Sequence, residues 1–317
     1  MLAEIFIEGL IYGIMVLGLF CTFRVLNFCD MTVDGSFPLG ACVLAACLLA
    51  KIPMPLALCV SFFSGLVAGL VTSAIYTRLH IPDLLAGILT MTMLYSINLR
   101  IMGNKSNVSF LRIPTLFSNI LDIIYEHIPS VENPEWGIVA FLILFVLILK
   151  IILDLFFHTD MGLTMGALGS NPQLVVSQGV NPTALRTIGI CFGNGLAALA
   201  GAFAAMYNGF ADVGMGTGIV VSGLASLMLG EFVIHSNKIG FQTLRVLIGS
   251  CMYRALMILA RTYGHLIRLT PNDLKLVTGI LIILCLIVSR FKLSEKLHVT
   301  TKKQPYSSSK TKTKQEL

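Results

Sequence analysis

The sequence predicts an all-α fold, a polytopic transmembrane helix bundle of eight or nine spans that includes short or broken helices. Three observations predict it. Of the 317 residues, 56% are hydrophobic and only 12% are charged, with a mean hydropathy of +0.86. That charged share is about half what a soluble domain uses to build a solvated surface, so much of this surface must face lipid. Apolar runs recur at close to the ~20 residues that carry a helix across a hydrocarbon core. Between and within these runs the polar residues are clustered rather than scattered.

The runs set the elements in order. The first four spans are expected at about 3–23, 36–50, 55–77 and 84–102. The second is short and opens on Gly35-Ser36-Phe37-Pro38. A polar stretch with Pro114, Pro129 and Pro134 then runs over about 103–135. The fifth span follows at about 136–157, and a second polar loop, with Asn-Pro pairs at 171–172 and 181–182, at about 158–184. Spans six to nine are expected at about 185–207, 217–234, 240–260 and 273–290. Residues 1–291 form the transmembrane domain in this reading, and 292–317 a basic, disordered tail.

Glu4 and Glu8 precede any basic residue, the first being Arg24, so the N-terminal run reads as a retained span rather than a cleavable signal peptide. The positive-inside rule places the tail after Arg290 in the cytoplasm. Counting back puts the 158–184 loop and the Arg78/His80 turn inside, and the N-terminus and the 103–135 loop outside, despite Lys105 and Arg112 in the latter. Nine spans is the preferred count. If the seventh segment is re-entrant, eight spans remain and the N-terminus lies inside.

The formal charge of +6 does not indicate nucleic acid, because Lys292, Lys296, Lys302, Lys303, Lys310, Lys312 and Lys314 all lie in the tail. The eight cysteines form no CxxC pair and lie almost entirely in apolar runs, where they read as small packing residues rather than disulfides or metal ligands. There is no GxxxxGK(S/T) loop, no HExxH and no GxSxG. No catalytic residue, metal site or cofactor is therefore expected. Gly9/Gly13 and Gly65/Gly69 form GxxxG pairs, and the run Gly193-Asn194-Gly195 continues through small residues to Gly201. Such faces let helices approach closely and are expected to serve ordinary helix packing.

Charge inside a membrane costs about 2.5–3.5 kcal/mol per residue on insertion scales, so the polar clusters carry the functional signal. The densest joins the first two spans: Arg24, Asn27, Asp30, Asp34 and Ser36, followed by Pro38. It reads as a broken helix lining a solute path. The alternative is an interfacial loop in which Arg24 pairs with Asp30 or Asp34. A second cluster, Asn208-Gly209-Phe210-Ala211-Asp212, shares Asn, Phe and Asp in order with Asn27-Phe28-Cys29-Asp30. The two would be related as an inverted repeat. On the fourth span Thr92, Tyr95 and Leu99 share a face, and Tyr95 with Asn98 could line a path or bond between helices. Lys150 and Asp154, four apart, read as a helical ion pair, and Glu231 beside His235 and Lys238 as an interfacial anchor.

In the 158–184 loop, Asn171 suits an N-cap, Pro172 the first helical turn and Gly179 the stop beyond the helix. A short helix between two spans is expected there. This loop resembles the TxxGxxxxAxGxNPxxAxxxGIN coupling segment of branched-chain amino acid type ABC permeases, through Gly162, Ala167, Gly169, Asn171-Pro172 and Gly179-Val180-Asn181. Val175 stands where the family pattern has a small residue after Pro172-x-x. Leu26-Asn27-Phe28-Cys29-Asp30-Met31 resembles the family's INFAHGE segment, and the continuation Thr32 to Gly40 is similar to a subgroup assigned to tryptophan, tyrosine or related solutes. The resemblance covers roughly 5–290.

The resemblance implies a bacterial inner-membrane permease subunit of an ATP-driven importer for an amino acid or similar small solute. It implies cytoplasmic ATPase subunits held at Gly169, Asn171, Pro172, Gln178 and Gly179, an extracytoplasmic solute-binding protein, and a second permease copy, as a homodimer. The chain itself would not be an enzyme. The translocation path would use Asn27, Asp30, Asp34, Ser36, Thr92, Tyr95, Asn98 and Asp212. A sugar or nucleoside is the rival solute class. An ion-gradient-driven transporter using Asp30, Asp34 and Asp212 is the rival mechanism.

Overall fold

The computed structural model describes residues 1–111, 113–127, 133–234 and 238–263, with isolated helical positions 276, 279, 280, 283 and 287. Apart from those positions, the expected last span lies outside the described residues, as do the basic tail, Arg112, Pro129 and His235. Lipid offers the backbone no hydrogen-bond partner, so apolar runs of this length close their own bonds as helices. The order is α1 (Leu2–Leu19) continuing into a π-turn at Phe20–Val25, α2 (Val33–Leu49), α3 (Met54–Leu79) and α4 (Asp83–Ile101), then β1 (Asn107–Ser109), α5 (Leu116–His127) and α6 (Glu135–His158). The chain continues through α7 (Asp160–Ser170), α8 (Pro172–Ser177), α9 (Pro182–Asn208), β2 (Phe210–Asp212), a 3-10 turn at Val213–Gly216, α10 (Ile219–Val233) and α11 (Ile239–Tyr263).

Among the described residues, seven helical segments are long and apolar enough to cross a membrane, and Val33–Leu49 is a shorter apolar helix. Each expected span up to the eighth coincides with one of them to within a few residues. The loops hold more structure than the sequence suggested. The 103–135 stretch contains α5 and the strand β1, which pairs antiparallel with β2. The 158–184 loop contains two helices, α7 as well as the expected α8.

The core is an antiparallel pair, α1 and α9. Thr22 and Leu26 at the end of α1 lie against Gly193 and Gly189, early in α9, while Glu8, Ile11 and Tyr12 share a pocket with Ala204, Tyr207 and Asn208. α3 lies antiparallel on α9, with Gly65 against Asn194 and Gly69 against Ile190 and Cys191. Gly9 and Gly13 seat Cys251 and Leu247 of α11. Both GxxxG pairs thus serve packing within the chain. α2 approaches α9 most closely: Gly40 meets the Ala198 carbonyl and Gly201 the Phe37 carbonyl, and a Cβ at either position would overlap a backbone oxygen. α10 is wedged between α1 and α11, with Gly223 against Leu19 and Gly249 against the Ser226 carbonyl.

The outer faces of α3, α4 and α6 expose Phe63, Val67, Leu85, Met93, Leu144 and Leu155. A girdle of this kind suits lipid, and the chain is a multi-pass membrane protein. Lys150 and Asp154 form the expected ion pair, and Asp154 also accepts from Thr243 Oγ1 at 2.7 Å.

Candidate functional site

The helix break after α1 is built by polar groups that replace helical hydrogen bonds. Asn27 takes a left-handed turn, φ +52°, and the Phe28 amide returns to the Thr22 carbonyl at 3.0 Å. The Cys29 amide donates to Asp83 Oδ2 at the start of α4 (3.0 Å). Asp30, 1% exposed, accepts from the Thr32 amide at 2.9 Å and from Asn194 Nδ2 at 2.6 Å. Asn194 Oδ1 in turn accepts from Ser36 Oγ at 2.7 Å, and its amide also reaches the Ile190 carbonyl. Thr32 and Thr72 share a hydroxyl bond at 2.7 Å. Asn194 lies near the middle of α9, so this satisfied network fixes the first turn of α2 at mid-depth of the bundle.

The break after α9 repeats the design. Gly209 takes the left-handed turn (φ +76°), and three residues on Asp212 accepts from the Gly214 amide at 2.6 Å. Asn27 and Asp30 stand in the same relation, with Asp30 accepting from Thr32 two residues on. The repeat expected from the sequence is therefore a repeat of backbone turn and aspartate cap. α1 and α9, which lead into the two breaks, run in opposite directions.

The two short helices that follow begin beside one another. Asp34, in the first turn of α2, accepts from the amides of Gly218 (3.0 Å) and Val220 (2.8 Å), which open α10. Gly216 packs on the Asp34 carbonyl and Pro38 Cδ, where a side chain would not fit. Asp34 thus ties one broken helix to the other, and its charge answers the positive end of α10.

Next to this junction is a cavity of about 280 Å³ lined by Asp34, Gly35, Pro38, Met91, Thr92, Tyr95, Asn98, Val213 and Thr217. It brings together four expected path residues, Asp34, Thr92, Tyr95 and Asn98. Asn98 is fully buried and donates Nδ2 to the Gly35 carbonyl at 3.3 Å, while its Oδ1 has no partner among the described residues. The other expected residues lie elsewhere. Asp30 and Ser36 are in the buried network. Asp212 is at the β1–β2 pairing, where it accepts from Asn107 Nδ2 at 3.2 Å. Asn27 lines a separate cavity of about 470 Å³ with Arg24, Gly169 and Glu231.

Arg24 does not pair with Asp30 or Asp34, the alternative raised by the sequence. Both carboxylates are taken by nearer amides, and Arg24 Nε reaches Glu231 at 3.1 Å. Glu231 also receives Arg245 at 2.9 Å, so it joins α1, α10 and α11 rather than only anchoring at an interface. Sequence reasoning passed over Asn194, although a carboxamide in the middle of a small-residue span was the available signal.

At the same end of the bundle, Asn171 Oδ1 accepts from the Leu174 amide at 3.2 Å and Pro172 opens α8. Gln178 ends it and Gly179 takes φ +78°. These are the expected cap, first turn and stop. Val175 is fully buried, while Leu174 and Val176 are exposed. Gly169 packs on the Val25 carbonyl and touches Leu26, linking this segment to the helix break.

The profile of the family described as branched-chain amino acid transport system / permease component matches residues 1–286. The chain belongs to this family of permeases. The permease is 37% identical over 289 residues to the "Tyrosine transport system permease protein" of Clostridioides difficile (strain R20291), covering 91% of each chain. It is 34% identical over 281 residues to an uncharacterized protein of Rickettsia prowazekii (strain Madrid E), covering 88% of this chain and 94% of that one. No solved structure matches it. The permease is thus the membrane component of an ABC-type amino acid transport system, a transport family rather than a catalytic one.

Proposed function

We propose that this permease imports an aromatic amino acid or a closely related small solute across the bacterial inner membrane, driven by ATP hydrolysis in separate subunits. The observation that carries the reading is the convergence of Asp34, Thr92, Tyr95 and Asn98 on one cavity at the meeting point of two broken helices. Polar groups gathered at such a break, within a bundle of apolar spans, fit a solute path. Similarity to a protein named for tyrosine transport supports the solute class. Asn27, Asp30, Ser36 and Asp212 hold the breaks that shape this path.

In this reading α7 and α8 face the cytoplasm and form the seat for an ATPase subunit, with Gly169, Asn171, Pro172, Gln178 and Gly179 setting their geometry. The exposed apolar side chains of Leu174 and Val176 suit a protein partner there. A solute-binding protein delivers to the opposite end, and a second permease copy completes a homodimer within the lipid.

The test is purification of the full chain from its native membrane in mild detergent. A stoichiometric P-loop ATPase is expected with the wild type. It is expected to be lost on deletion of 171–179 or in Gly179→Asp, with membrane insertion unchanged. An ATPase that still co-purifies with the deletion variant refutes the coupling assignment. Solute uptake by the lone chain in liposomes under an ion gradient refutes the importer reading.

A further inference from the structure

The cavity at the junction of the broken helices has a chemistry that selects one end of a solute. Among the described residues its lining includes one carboxylate, Asp34, and no Lys, Arg or His. Helix N-termini ordinarily favour anions. Here both are already answered: Asp30 accepts from the Thr32 amide at the start of α2, and Asp34 from the Gly218 and Val220 amides at the start of α10. Asp212, next in the chain to the lining residue Val213, is a second acid, its carboxylate accepting from Gly214 and Asn107.

Among the described residues of its lining, the buried group left unsatisfied is an acceptor. The Gly35 carbonyl requires the NH₂ side of the Asn98 carboxamide at 3.3 Å, which fixes the amide orientation and leaves Oδ1 buried without a partner among the described residues. Asn98 is 0% exposed and lines the cavity. Leaving such an acceptor unpaired costs about 1–3 kcal/mol, so a donor in the cavity gains from meeting it once the wall yields enough to admit it. Tyr95 also lines the cavity.

We propose that this cavity receives the ammonium end of the transported solute, with Asn98 Oδ1 as hydrogen-bond acceptor and Asp34 as countercharge, and disfavours a free carboxylate. The inference rests on the reading that the cavity lies on the solute path. Selectivity of this kind resides in the permease itself and acts after delivery.

Thr92→Cys supplies a small reporter thiol in the cavity. The full-length variant, in nanodiscs open from both sides, is treated with paired methanethiosulfonate reagents of similar size, one bearing an ammonium and one a sulfonate. Labelling at position 92 is followed by mass spectrometry, and the rate ratio is divided by that for free cysteine. The expected normalised ratio favours the ammonium reagent by about tenfold, the scale one carboxylate a few ångström away imposes. Asn98→Leu should lower it about threefold, as expected for one lost hydrogen bond. Asp34→Asn should bring it close to one. A ratio near or below one in Thr92→Cys overturns the proposal. Failure of the path reading is distinguishable: full transport by the labelled Thr92→Cys complex would remove the cavity from the path.

Discussion

Asn194 is the residue on which the tertiary structure places the greatest weight, and replacing it by leucine tests the argument most directly. Its carboxamide donates to Asp30 at 2.6 Å and accepts from Ser36 at 2.7 Å, with all three groups buried. Leucine leaves Asp30 short of one charge-assisted bond, worth about 1.5–3 kcal/mol, and Ser36 short of one neutral bond of about 1 kcal/mol. Interhelical bonds inside membranes have measured nearer 0.6 kcal/mol on average, because an inserted but unfolded chain finds other partners. The expected destabilisation of Asn194→Leu is therefore about 2–3 kcal/mol. Reversible unfolding in mixed micelles against a denaturing detergent gives this value. Ser36→Ala in the wild type and in the Asn194→Leu background completes a double-mutant cycle. A coupling of about 0.5–1.5 kcal/mol is expected for residues sharing a bond. A variant within about 0.5 kcal/mol of wild type, or strict additivity of the two changes, would refute the network as the clamp between α2 and α9.

Three further outcomes follow from the packing and the ion pairs. Gly201→Val should prevent normal assembly, because its first carbon would collide with the Phe37 carbonyl, and a folded yield like that of wild type in gel filtration would contradict the α2–α9 contact. Glu231→Gln should cost about 3 kcal/mol, mostly by leaving Arg245, with a side chain only 7% exposed, without its carboxylate. Arg24→Gln should cost under about 1 kcal/mol, since that side chain is 59% exposed, and equal effects in thermal denaturation would refute the distinction. Asp34→Ala should impair uptake by the reconstituted complex far more than Lys150→Ala. Asp34 joins two helices beside the cavity, whereas Lys150 only pairs within one.

The spans were legible because their cause is local. A run of apolar residues excludes water from its own backbone, and the helix is the only closure available to a single segment. The ends of α8 were legible for the same reason: Asn171, Pro172 and Gly179 act on neighbouring amides and on their own dihedral angles. The two helix breaks were visible as polar clusters, and their kinship as Asn, Phe and Asp in order. The alignment needed the backbone, since Gly209 rather than Asn208 takes the turn that Asn27 takes. Arg24 was misplaced in one reading because a sequence offers near neighbours first. Asp30 and Asp34 are closer along the chain, but amides already occupy them, and Glu231 is delivered by α10.

By itself, then, the sequence determined that the chain is a membrane bundle, where its first eight apolar spans start and stop, and which polar residues stand out of place among apolar ones. Each of these depends on residues within a few turns of one another. Only the tertiary structure decided how those residues are shared out: Asp30 and Ser36 to a buried clamp on Asn194, Asp34 to the cap of a distant helix, and Thr92, Tyr95 and Asn98 to one cavity. That division depends on which helix faces which. Helix faces are set by glycine contacts such as Gly40 on Ala198 and Gly201 on Phe37, between positions far apart in the chain.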